Sequence, residues 1–503
     1  MLTVGQVAAS PVHVGVGDEP AGHVSPLLFG QMLERTRANQ GECGAEGAWS
    51  AVDGDWVPGF VQLVQELDPG VLRFPGGGEA DRYDWRWGLD QAPGRLRGRL
   101  AQEDAPGLFT THRVGTEEFL DLCRRVGAEP LLVVNIVEHR DASEEGAALA
   151  ADWVEYCNAP GDGSNPRGGT DWARVRAANG HPEPHGVRLW ELGNEVWIPD
   201  DEVTPGRYER LARLWAREML AADPSIEFIG MGQDARWTRA SVEGIGEGLR
   251  FVSLHSYSVN GARQGDLTAE DAWAAALAGP PPHFAEQASE TWGEIERLGR
   301  SRGVRIAVTE WNFNLWFEGP GAPVYEPRMT LIGAATFLHE LMRQGDRVGL
   351  AVQSLLVGDS WNLTAIRLDE DRHPRPWVTW HLMALARAVH GSTLLPVQVE
   401  HSPTVGLRTA VGNMEPREDI PVINAVATLS SSEVCVSVVN GAVSDSIDVE
   451  IVFPPSLVAD SASVRLIQLG DERIDRTLEG GAHSVTLALP PRTVSFLCWP
   501  REQ

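Results

Sequence analysis

Arg188-Leu189-Trp190-Glu191-Leu192-Gly193-Asn194-Glu195 is a short apolar β-like run that ends in a carboxylate. A second run, Arg305 to Trp311, carries Glu310 close to its end. Seven more stretches frame the first: Leu27–Leu33, Gly70–Pro75, Glu129–Ile136, Ile226–Gly232, Phe251–Tyr257, Arg305–Trp311 and Gly349–Val357. Helix-length amphipathic segments separate them, such as Phe119, Leu122, Cys123, Val126 and Tyr208, Leu211, Trp215, Met219 at three-to-four-residue spacing. Eight β-like runs alternating with helices predict a (β/α)8 TIM barrel over residues 21–385, with Glu195 and Glu310 at strands four and seven. An open doubly wound sheet is the alternative, but no G-x-G-x-x-G follows the first run.

After about residue 386 the pattern changes to alternating strands, Glu433–Val439, Ser446–Phe453, Ser463–Leu469 and Ser484–Leu489, separated by Gly, Pro, Asp and Ser. That predicts an antiparallel β-sandwich over 386–503, completed by residues 1–20, where Val12, Val14 and Val16 alternate. The segments Trp85–Thr111 and Asn158–His185 carry weak periodicity and read as long loops shaping the pocket.

Composition narrows the function. Acidic residues outnumber basic ones 70 to 42, a net charge of -28, which repels nucleic acid and anionic lipid and suits a neutral substrate. All the basic residues are arginine, so a lysine Schiff base or lysine nucleophile is excluded. The 5 scattered cysteines contain no C-x-x-C pair and read as reduced thiols. The first sixteen residues lack a signal-peptide pattern, and no apolar run is long enough to span a membrane, so a cytoplasmic protein is expected. No metal is expected, since there is no H-E-x-x-H, no EF-hand loop, and the histidines do not cluster at ligand spacing.

In a barrel the chemistry belongs at the carboxyl ends of the strands. The polar residues placed there are Glu34, Arg73, Asn135, Asn194, Glu195, His255, Tyr257, Glu310 and Gln353. A glutamate in an apolar strand is costly to bury unless paired, and two at strands four and seven fit the carboxylate pair of glycoside hydrolysis.

Asn194-Glu195 and Glu310 resemble the acid/base and nucleophile of glycoside hydrolase clan A. Within the clan the likeness is greatest to family 51, the α-L-arabinofuranosidases, and it covers most of the chain. It is carried by Phe29-Gly30-Gln31-Met32-Leu33-Glu34, Arg73-Phe74-Pro75-Gly76-Gly77, Glu129-Pro130 with Val133-Val134-Asn135, Leu192 to Glu195, Ser253 to Tyr257, and Glu310-Trp311-Asn312. The resemblance implies a retaining exo-acting hydrolase that acts on oligosaccharides without a cofactor, and it implies a homo-oligomer.

In that reading Glu310 attacks the anomeric carbon, and Glu195 protonates the leaving oxygen and later deprotonates water. The charge of Glu310 is expected to keep Glu195 protonated in the resting enzyme. Asn194 would hold the hydroxyl beside the anomeric centre. His255 and Tyr257, on one face of strand six, would orient Glu310. Arg73 would keep Glu310 ionised. Glu34 and Gln353 would bind distal hydroxyls, and Asn135 completes the predicted binding set. Trp85, Trp87, Trp197, Trp311, Trp316 and Trp361 offer faces for sugar stacking.

Two departures from the family bear on the sugar. Gly78 stands where an asparagine is usual and is followed by Glu79, and Val196-Trp197-Ile198-Pro199-Asp200 replaces the usual Asp-Gly-Pro-Trp run. A retaining β-glycosidase or endo-glycanase of the clan, acting on galactofuranoside, xylan or glucan, therefore remains an alternative. So does a non-catalytic carbohydrate-binding barrel, since fold does not imply function.

Overall fold

The computed structural model describes residues 10–36, 44–90, 101–105, 108–198, 203–260, 268–278, 280–313, 327–358, 364–458, 463–479 and 483–501. Eight parallel strands close a barrel in chain order: β1 (Gly30–Met32), β2 (Val71–Phe74), β3 (Glu129–Val134), β4 (Leu189–Leu192), β5 (Glu227–Met231), β6 (Leu249–Ser258), β7 (Arg305–Phe313) and β8 (Val348–Gln353). Each overlaps one of the eight predicted runs. The strands need helices to cover their outer face, and most connections supply one: α1 (Phe60–Leu67), α2 (Thr116–Val126), α3 (Ser143–Asn158), α4 (Trp172–Ala178), α5 (Pro205–Ala222), α6 (Ala235–Ile245), α7 (Ala269–Ala278), α8 (Pro280–Arg297) and α9 (Pro327–Arg343). A further helix, α10 (Val378–Val389), follows the barrel.

The barrel interior is layered because strand side chains alternate with a period of two. Val71, Leu131, Leu189, Ile229, Phe251, Ala307 and Leu350 form one apolar cluster inside it. Two residues further along the same strand faces stand Arg73, Glu191, Ser253 and Thr309, all buried. The polar constellation therefore rests on an apolar plug, which withdraws it from water and strengthens its charge interactions.

C-terminal to the barrel, antiparallel strands Thr393–Leu395, Ile423–Leu429, Glu433–Asn440, Thr493–Pro500, Val464–Leu469 and Ile474–Leu478 form one sheet, with Gly22–His23 at its edge. In the second sheet Val12–Val16 lies between Val397–Glu400, antiparallel, and Ile447–Val452, parallel.

Two loop readings are corrected. The segment 85–111 contains a hairpin, Ala101–Ala105 paired with Leu108–Thr111, and 158–185 contains α4. Both elements are too short for periodicity to reveal.

Candidate active site

Arg73 is the hub. Fully buried on β2, it donates from Nε to Glu191 Oε2 at 2.6 Å, from Nη1 to Glu310 Oε1 at 3.0 Å and from Nη2 to Asn194 Oδ1 at 2.9 Å. Burial opposes its charge, but Glu191 and Glu310 outweigh that and hold its pKa above the ordinary arginine value. One guanidinium thus ties strand two to strands four and seven, and its fork geometry fixes two carboxylates and an amide at once.

Glu310 reaches the pocket through an irregular ladder. Thr309 already points inward, where its Oγ1 donates to Glu191 Oε1 at 2.7 Å, so simple alternation would turn Glu310 outward. The register shifts between Leu254 and His255 on β6 and between Val308 and Trp311 opposite β8. Such irregularities re-aim side chains, and here Thr309 and Glu310 both face the site. Tyr257 donates to Glu310 Oε2 at 2.6 Å and lies 2.6 Å from Ser354 Oγ. Burial, then the charge of Glu310, pushes the Tyr257 hydroxyl well above its usual pKa, so it stays a donor.

The second carboxylate sits on a tight turn. Gly193 and Glu195 both have positive φ, 89° and 38°, so the chain bends sharply after β4 and presents Glu195 to the cavity. His255 Nδ1 lies 2.9 Å from Glu195 Oε1 and 3.7 Å from Glu310 Oε1, and its Nε2 lies 3.0 Å from Thr309 Oγ1. Two expectations are corrected here. His255 partners Glu195 first rather than orienting Glu310, because β6 places its ring between the two carboxylates. Nor is Glu195 held protonated by the charge of Glu310: burial raises its pKa, but the hydrogen bond and charge of His255 outweigh it and lower it. Correspondingly, burial depresses His255 while Glu310 and Glu195 raise it above its usual value. Both directions favour the imidazole as the holder of the pair's proton.

The turn after β2 frames the carboxylates from the other side. A Cβ on Gly76, at φ 132°, would lie 2.5 Å from Glu34 Cγ, and one on Gly77 would lie 2.9 Å from Glu310 Oε1. Glycine is required at both positions by close approach. Glu34 is thereby placed beside the turn, half-buried.

Other predicted residues have partners of their own. Asn135 closes its own turn, donating to Glu138 Oε2 and accepting from the Glu138 N–H, both at 3.1 Å. Gln353 is fully buried against Gln31, whose Nε2 donates to its Oε1 at 3.1 Å, so it offers no surface to distal hydroxyls. Glu79 adds no charge to the pocket: it is buried and ion-paired with Arg35 at 2.6 Å. Gly78 is exposed, and a Cβ there would meet nothing within 4 Å. Trp85 and Trp311 are buried in the core and cannot stack on a sugar, whereas Trp197 is partly exposed with its ring 5.1 Å from His255. Trp316 and Trp361 lie outside the described residues.

Glu191 and Thr309 were not singled out from the sequence. The signal was a charge inside Leu189–Leu192, matched by an arginine in β2. The reading that histidines do not cluster is also corrected: among the described residues, Glu195, His255 and Glu310 form one group of possible metal donors, and Glu117, His181 and His185 form another.

Residues 63–274 match the family model described as alpha-L-arabinofuranosidase 1 domain. The chain is 28% identical over 367 residues to the intracellular exo-alpha-(1->5)-L-arabinofuranosidase of Halalkalibacterium halodurans, covering 67% of each chain. It is 29% identical over 352 residues to intracellular exo-alpha-(1->5)-L-arabinofuranosidase 1 of Bacillus subtilis, covering 67% of this chain and 64% of that one. The chain is a glycoside hydrolase similar to the α-L-arabinofuranosidases of family 51. The fold of the hydrolase agrees with that of a family 51 alpha-L-arabinofuranosidase from Bifidobacterium longum, at TM-score 0.78 and 20% identity over 98% of this chain and 100% of the other.

Proposed function

We propose that this glycoside hydrolase removes terminal α-L-arabinofuranosyl residues from oligosaccharides with retention of configuration, with Glu310 as nucleophile and Glu195 as acid/base. The observation that carries the mechanism is the closeness of the pair: donor atoms of Glu195, His255 and Glu310 all lie within 4.8 Å of one another. Retaining enzymes hold their carboxyl groups about 5–5.5 Å apart, whereas an inverting enzyme needs roughly 6.5–9.5 Å to admit water between them.

Arg73 and Tyr257 hold Glu310 by one oxygen each, leaving it positioned for in-line attack. The Glu310 oxygen bonds to the anomeric carbon as the glycosidic bond breaks. The leaving oxygen takes the proton shared by Glu195 and His255. Esterification removes the Glu310 charge that raises His255, so the imidazole does not recapture a proton prematurely. Glu195, a carboxylate again once the His255 proton has passed through it to the leaving oxygen, deprotonates the water that attacks the same carbon, the ester breaks, and the pair regains its proton. Asn194, fixed by Arg73, is placed to bind the hydroxyl next to the reacting centre.

The arabinose assignment rests on what the relatives are named for, and exo action on the first two of them. Their names also support an intracellular site of action. The same proposal divides the chain into a catalytic barrel and a sandwich over 386–503, the expected division at residues 20 and 21 moving past Gly22–His23, which pairs with Thr393–Leu395 as Val12–Val16 pairs with strands beyond 386. The test is a panel of aryl α-L-arabinofuranoside, β-D-galactofuranoside, β-D-xyloside and β-D-glucoside. The arabinofuranoside should be cleaved fastest; hydrolysis of pyranosides alone would refute the substrate.

A further inference from the structure

The geometry points to a zinc site, formed by Glu117, His181 and His185, on the outside of the barrel and separate from the carboxylate pair. Glu117 lies in the first turn of α2, and the two histidines lie in the segment that joins α4 to β4. Nε2 of His181 is 3.2 Å from Glu117 Oε2 and Nε2 of His185 is 3.1 Å from the same oxygen. A tetrahedral ion with ligands at about 2.0–2.2 Å separates its donors by roughly 3.4 Å, close to these spacings. His2Glu with an open fourth position is a zinc donor set.

The oxygen at the centre of the group is unspent. Glu117 is buried, and its Oε2 makes no hydrogen bond although both ring nitrogens stand beside it; the His185 ring nitrogen is partnered instead with Oε1, at 3.4 Å. A buried carboxylate oxygen without a donor is costly, and an ion between it and the two rings would satisfy all three groups. The other oxygen, Oε1, is oriented by the Tyr156 hydroxyl at 2.5 Å, which itself receives Asn179 Nδ2 at 3.2 Å. That is the outer-shell support that ligating carboxylates carry.

The histidine segment is pre-set by backbone bonds. Buried Arg176 donates to the carbonyls of His181 and Pro182, the His185 N–H donates to Cys157 O at 2.7 Å, and Asn158 brackets Val187 through two bonds of 2.8 Å. Ligands held this way lose little freedom on binding. Because the segment runs directly into β4, an ion there would pin the approach to the strand that delivers Glu191, Asn194 and Glu195.

The test is calorimetric titration of chelator-treated protein with Zn2+, alongside thermal denaturation with and without the ion. Wild type should bind zinc and gain thermal stability. His185→Gln should lose that binding and the stabilisation. His181→Gln, at a part-exposed position where folding is not at risk, should do the same, with arabinofuranosidase turnover in chelator unchanged in both. Tyr156→Phe should weaken binding by about tenfold to a hundredfold. Absence of binding to wild type, or undiminished binding by His181→Gln and His185→Gln, would overturn the site; the second result would point instead to Glu195, His255 and Glu310.

Discussion

At the residue scale, the decisive feature is where one proton sits. Burial opposes both charges, yet the contact between the two lowers Glu195 and raises His255, which favours a carboxylate beside an imidazolium. The raised His255 pKa stabilises the fold below the usual histidine value of 6.5, and that contribution is lost as pH rises through the folded value. Activity should follow the same proton, so the alkaline limb of kcat/KM should lie above pH 6.5. His255→Gln should move that limb to lower pH, measured with an aryl furanoside whose leaving group needs protonation. An unmoved limb would remove His255 from the acid function. Tyr257→Phe leaves one Glu310 oxygen without its donor and should lower kcat by roughly a hundredfold to a thousandfold, as loss of one positioned donor does elsewhere.

At the scale of elements, the site depends on two local departures from regularity, the shifted ladder of β7 and the turn at Gly76-Gly77. Gly77→Ala would push a methyl to within 2.9 Å of the Glu310 carboxylate, so kcat should fall while the far-ultraviolet circular dichroism stays unchanged. Gly76→Ala meets Glu34 and forces a side chain to φ 132°, which should cost about 1–3 kcal/mol in denaturant unfolding. These departures mark the limit of what the sequence discloses. The eight strands were legible because each is an apolar run between helical periods, and Glu195 and Glu310 because a carboxylate ends or interrupts such a run. The roles of His255, Gln353 and Glu79 were not, because alternation gives a face but not a partner. Gln353 Oε1 accepts from Gln31 and Glu79 pairs with Arg35, residues remote in sequence that only the closed barrel brings alongside.

At the scale of the whole molecule, barrel and sandwich meet over buried neutral histidines. His339 of α9 lies 2.8 Å from Asn424 and 2.7 Å from Ser437, both on sandwich strands, and His390 after α10 lies 2.9 Å from Thr428. Burial lowers His339 well below the usual value, and lowers His390 to about 4. A lowered histidine pKa gives stability that is present above pH 6.5 and is lost as pH falls toward the folded value. For His390 the loss between pH 6.5 and 4 is on the order of 3 kcal/mol, so the melting temperature of wild type should fall on acidification more steeply than that of His390→Gln. Parallel slopes would show that the seam does not titrate.

The geometry that unites these scales is a carboxylate pair close enough for a covalent intermediate, and trapping that intermediate tests it most directly. Incubation with a slow, activated 2-fluoro-arabinofuranoside, followed by peptide mass spectrometry, should find the sugar esterified to Glu310. A label on any other residue, or turnover through an inverted product with no ester formed, would contradict the account.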